Sequence, residues 1–131
     1  MLITPNQLKE KHRIIGSLLT KDELNPESQS TLKYAIRMWD KSAQDFYNGV
    51  QKQYDKINLK YAEKKTGSNV LMVDESGRYC YTEMNEILRK EAIEEVDHTE
   101  YEFTPHLFDE SGRIETFGLF EKQELKGIFL P

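Results

Sequence analysis

Few residues in this chain could do chemistry, and their spacing does not assemble them. His98 and His106, with Asp97, Glu100 and Asp109 close in sequence, are donor types for a mononuclear metal site. No helical pair of ligands at i, i+4 and no Cys–His cluster accompanies them, so the pattern does not predict a metal centre. Cys80 stands between Tyr79 and Tyr81 on a predicted strand, an ordinary strand position rather than that of an activated nucleophile. The acidic run Glu91, Glu94, Glu95, Asp97, Glu100 and Glu102 resembles paired carboxylates for acid–base work. On a helix its members at i, i+3 and i+4 share a solvated face, with nothing hydrophobic expected beside them to raise a pKa. There is no glycine-rich phosphate loop, nucleophile elbow or nucleotide fingerprint. The expectation is a non-enzymatic protein with no catalytic, cofactor or metal residues.

What the sequence offers instead is contact chemistry. Tyr47, Tyr54 and Tyr61, seven apart, form a line on a predicted helix that either packs on the β segment or is free to stack bases or meet a partner. Lys52, Lys56 and Lys60 lie on the same helix, and Glu91, Glu94 and Glu95 on a later one. The first 65 residues carry 12 Lys+Arg against 8 Asp+Glu, for +4, and the remainder 6 against 15, for −9. These opposite halves are read either as solvated surfaces or as head-to-tail attraction between copies, basic helix to acidic end. An apolar interface through Tyr47 or Tyr54 is the alternative. The net charge of −5 disfavours nucleic acid as a partner.

The elements that must position these residues are read from periodicity. Leu32, Ile36, Trp39, Ala43, Phe46, Val50, Tyr54, Ile57 and Tyr61 recur at about 3.6 residues, one stripe on one helix from about Pro26 to Lys65. Asn48-Gly49 inside it could mark a break, but the stripe keeps its phase across the pair, which favours continuity. Thr4-Pro5-Asn6-Gln7 reads as a capping box opening a shorter helix that ends near Thr20, with Leu8, Ile15, Leu18 and Leu19 buried. Lys21 to Leu24 would connect the two helices, with Asn25 as the second cap. Asp-Glu-Ser-Gly-Arg occurs at 74–78 and again at 109–113, each read as a β-turn with Gly in the left-handed position. The turns would join Asn69–Val73 to Arg78–Tyr81 and Thr104–Phe108 to Arg113–Phe117. Thr82 would cap a helix with Met84, Ile87, Leu88 and Ile93 inside and acids outside. Glu100–Thr104 alternates as a half-buried strand. Phe117–Lys126 reads as a last helix before Gly127, and Ile128-Phe129-Leu130 is apolar enough to require burial.

At 131 residues with 37% hydrophobic and 31% charged residues, the chain fits one folded unit with a modest core. A single cysteine excludes an intrachain disulfide and favours a reducing compartment. The N-terminus shows no signal-peptide pattern, and no apolar run is long enough to span a membrane. The fold class expected is α+β: an antiparallel helical hairpin with one long helix (1–66) and a small β-hairpin and helix segment (67–131), acidic and packed on the long helix.

In this order the elements resemble a family of small uncharacterised tailed-bacteriophage proteins. The resemblance is carried by Leu2-Ile3-Thr4-Pro5-Asn6-Gln7-Leu8, Lys60-Tyr61-Ala62-Glu63-Lys64, Glu94 to Phe103, and Phe120-Glu121-Lys122-Gln123-Glu124-Leu125. The helix connection and the second Asp-Glu-Ser-Gly-Arg turn depart from the pattern. The resemblance implies a phage product of the host cytoplasm or the virion, without enzyme activity. It would act through contacts with itself or another phage protein, in a structural or assembly role. The alternative is a phage-encoded inhibitor of a host defence or regulatory protein, whose acidic surface mimics nucleic acid or blocks a basic cleft.

Overall fold

The computed structural model describes residues 1–20, 26–108 and 117–131. In chain order the elements are β1 (Leu2–Ile3), α1 (Pro5–Ser17), a 3-10 turn (Leu18–Thr20), α2 (Pro26–Tyr61), α3 (Glu83–Asp97), β2 (Tyr101–Glu102) and α4 (Leu119–Leu125). The fold is α+β, with a helical hairpin at the N-terminal end and one long helix. The helix connection at 21–25 and the second Asp-Glu-Ser-Gly-Arg turn lie outside the described residues.

The chain divides into two compact units, residues 1–47 with 100–131, and residues 48–99. In the first, α1 begins as expected: the Thr4 hydroxyl accepts from the Gln7 backbone at 3.1 Å, and the Gln7 side chain accepts from the Thr4 N–H at 3.0 Å. Each interaction satisfies a donor that a helix start leaves without an intrahelical partner. Trp39 is at the centre of the core. Its indole N–H donates to the Ile128 carbonyl at 2.8 Å, and its ring meets those of His12 and Phe103 edge-on at 5.2 and 5.9 Å. Leu8, Ile15, Leu18, Leu32, Phe103, Leu125 and Phe129 are buried around it, and the apolar tail Ile128–Leu130 is covered as its composition requires. Lys11 on α1 donates to Glu124 on α4 at 2.7 Å. The alternating stretch near Tyr101 does form a strand, and its partner is the N-terminal Leu2–Ile3, paired antiparallel. Thr104–Phe108 is not a strand; Phe108 instead donates to the carbonyl of Phe129.

In the second unit α2 stops at Tyr61 rather than near Lys65. The next residues are taken by pairing: Lys64 bridges Leu71, Val73 bridges Tyr79, and the Glu63 N–H donates to Cys80. The first Asp-Glu-Ser-Gly-Arg is a turn. Asp74 Oδ1 accepts from the Ser76 hydroxyl and N–H and from the Arg78 N–H, and Gly77 holds φ +83°. These bonds hold the Asp74 carboxyl below its ordinary range, the Ser76 hydroxyl contributing most. The long helix passes through Asn48-Gly49 without a break.

Candidate functional site

The far half of α2 and the whole of α3 face each other through hydrogen bonds, with Ala92, Ile93 and Val96 half-buried on the same side of α3 as Asn85 and Arg89. The Tyr54 hydroxyl donates to Asp97, Arg89 Nη1 donates to Asn58 Oδ1 at 3.2 Å, and Asn85 Nδ2 donates to the Tyr61 carbonyl at 3.2 Å. Residue numbers rise along α2 as they fall along α3, so the helices run antiparallel here. Arg89 is the hub. Its Nε and Nη2 donate to both oxygens of Glu86, at 3.0 and 2.7 Å, and its guanidinium lies 4.6 Å from the centroid of the Tyr81 ring. The bidentate pair raises the pKa of Arg89 and lowers that of Glu86, through the hydrogen bonds first. Partial burial raises that of the Tyr81 phenol. Thr82 caps α3 by accepting from the Asn85 N–H at 3.1 Å.

The hydrogen bonds of Asn85 and Arg89 on the inner face have a consequence for the outer one. Met84, Ile87 and Leu88 were expected inside and are exposed, at 64%, 51% and 38%. At 3.6 residues per turn they share one face of α3 with Glu91, Glu94 and Glu95, which are also exposed. The expected separation of apolar inside from acidic outside therefore fails: Asn85 and Arg89 occupy the inner positions because they find hydrogen-bond partners on α2. Ile93 alone of the four apolar residues lies half-buried. The result is an exposed ridge, apolar over its first half and acidic over its second, and no residue of α3 is fully buried. Hydrophobicity by itself could not find it. The available signal was Asn85 and Arg89, spaced four apart between the apolar residues.

The remaining candidate residues are dispersed. Tyr47 belongs to the first unit, half-buried, with its ring edge-on to Phe46 at 5.8 Å. Burial, and then the charge of Asp40, raises its phenol pKa. Tyr54 and Tyr61 lie half-buried in the second unit, and Lys60 Nζ sits 5.2 Å from the centroid of the Tyr61 ring. Lys52, Lys56 and Lys60 are exposed. Among the described residues none of these lysines pairs with Glu91, Glu94 or Glu95. Also among the described residues, no cluster of three or more His, Cys, Asp or Glu is placed to hold a metal, and no helix is long and apolar enough to cross a membrane. An open cleft of about 560 Å³ is lined in part by Asn58, Asp74, Tyr81 and Arg89. Arg89 is held by Glu86 and Asp74 by its own turn, and Arg78 also lines the cleft.

No protein-family model, curated protein or solved structure matches this chain.

Proposed function

We propose that this protein is non-enzymatic and acts by seating the outer face of α3 on another protein, in a structural or assembly role. The observation that carries the reading is the exposure of Met84, Ile87 and Leu88 in line with Glu91, Glu94 and Glu95 on a capped helix. Apolar side chains scattered singly on a surface need no explanation, whereas a contiguous set rimmed by charge marks a contact. The partner the ridge fits has an apolar anchor and basic groups about two helical turns away. Covering the exposed part of the three side chains contributes on the order of 1 kcal/mol each at ~25 cal/mol per Å². Association costs ~4 to 15 kcal/mol in lost freedom. The apolar patch is therefore insufficient alone, and the charged rim and repetition of the contact must supply the rest. The resemblance to small tailed-phage proteins gives the setting, assembly of a particle.

The same carboxylates support a second reading, an inhibitor that occupies the basic cleft of a host protein, since Glu91, Glu94 and Glu95 are exposed and take no cation of their own chain among the described residues. Chemical crosslinking and capture with the wild type beside Ile87→Asp tests the docking face. The expected result is a partner, crosslinked near Lys90, that the variant loses; equal capture by both proteins would overturn the reading. A particle component as that partner supports assembly, and a basic-clefted host protein supports inhibition.

A further inference from the structure

Resting on that reading, we infer that the partner of the α3 ridge is the exposed face of α2 on a second copy of this chain. Leu59 is 47% exposed and shares a face with Lys52 and Lys56. Counting back from Leu59, Lys56 is three residues away and Lys52 seven; counting forward from Ile87, Glu91 is four away and Glu94 seven. Both ladders follow the i, i+3/i+4, i+7 spacing of one helical face. Laid antiparallel, they place Leu59 on Ile87 and Leu88, Lys56 by Glu91, and Lys52 by Glu94 and Glu95. An apolar anchor meets an apolar anchor, and each lysine meets a carboxylate that has no cation in its own chain among the described residues.

The geometry also sets how such contacts repeat. On α2 the Lys52, Lys56 and Leu59 face points away from Tyr54, Asn58 and Tyr61, which hold α3; on α3 the ridge points away from Asn85 and Arg89, which hold α2. Each copy thus offers a donor face and an acceptor face on opposite sides of the α2–α3 pair. The contact is heterologous, joins copies head to tail, and yields a ring or an open row rather than a two-fold dimer.

The test is the solution mass of the full chain over a concentration and salt series. The expected result is growth beyond a dimer with concentration, and association on the order of tenfold weaker at high than at low salt, because exposed pairs are screened. Lys52→Glu with Lys56→Glu should abolish association, and so should Glu91→Lys with Glu94→Lys. Mixing the two variants should restore it, since the reversed faces complement each other. Circular dichroism confirms that both stay folded, as the substituted side chains have no described partners to lose. A monomer at every salt and concentration, a species that stops at two, or a mixture that fails to reassociate would overturn the inference. If the wild type is monomeric yet Ile87→Asp still loses a captured protein, only the second copy is excluded and the docking reading stands; if no partner is lost either, both fail.

Discussion

Replacing Trp39 should come close to unfolding the first compact unit. The indole is fully buried and its N–H satisfies the Ile128 carbonyl at 2.8 Å, which ties the C-terminal turn to the middle of α2. Trp39→Ala removes the ring, at ~3 to 5 kcal/mol for an aromatic core truncation. It also leaves a buried carbonyl without its donor, a further ~1 to 3 kcal/mol. Against a typical domain stability of ~5 to 15 kcal/mol, the variant should be marginal or unfolded. Trp39→Phe keeps a ring against His12 and Phe103 but not the donor, and should cost roughly 1 to 3 kcal/mol. Urea titration followed by far-ultraviolet circular dichroism measures both, because Trp39 is the only tryptophan and its fluorescence disappears with it. A midpoint for Trp39→Ala equal to that of the wild type would refute the assignment of Trp39 to the centre of the core.

Other predictions concern the second unit. Gly49→Ala should stabilise by ~0.4 to 1 kcal/mol in the same titration, since the helix is continuous and an added Cβ meets nothing within 4 Å. Gly77→Ala should destabilise by about 1 kcal/mol or more despite equally open space, because φ is +83° there. Glu86 is held below its ordinary pKa by Arg89, so its contribution is present above the unfolded-state value and is lost as pH falls below ~4 through the folded value. The gap in urea midpoint between wild type and Glu86→Gln should therefore be widest at neutral pH and close in acid; a gap independent of pH would contradict the pairing.

Local signals in the sequence were legible where one residue type has one physical use. Thr4 with Gln7, and Thr82, mark helix starts, Asp74 with Gly77 marks a turn, and the phase of the α2 stripe carries the helix through Gly49. The β1–β2 pairing was not legible: two residues at the N-terminus pair with residues about a hundred positions later, and strands so short carry no alternation. The end of α2 was missed because the pairing of Glu63 and Lys64 with the 70–80 segment competes with one more helical turn. The ridge was half legible. Acidity places Glu91, Glu94 and Glu95 outward and apolarity alone would place Met84, Ile87 and Leu88 inward, whereas Arg89 and Asn85 reach partners on α2 and turn those residues outward. Exposure of apolar groups is common in folded proteins, and a hydrophobic pattern fixes a face only when no polar network competes for it.

The pairing of Leu59 in one copy with Ile87 in another can be read directly by cysteine crosslinking in a Cys80→Ser background. Leu59→Cys mixed with Ile87→Cys should give a disulfide-linked heterodimer under mild oxidation, in clear excess over Lys33→Cys mixed with Ile87→Cys, because Lys33 is exposed on α2 but outside the proposed face. Equal yields from the two mixtures, or none from either, would contradict the seating of α3 on the α2 of a second copy.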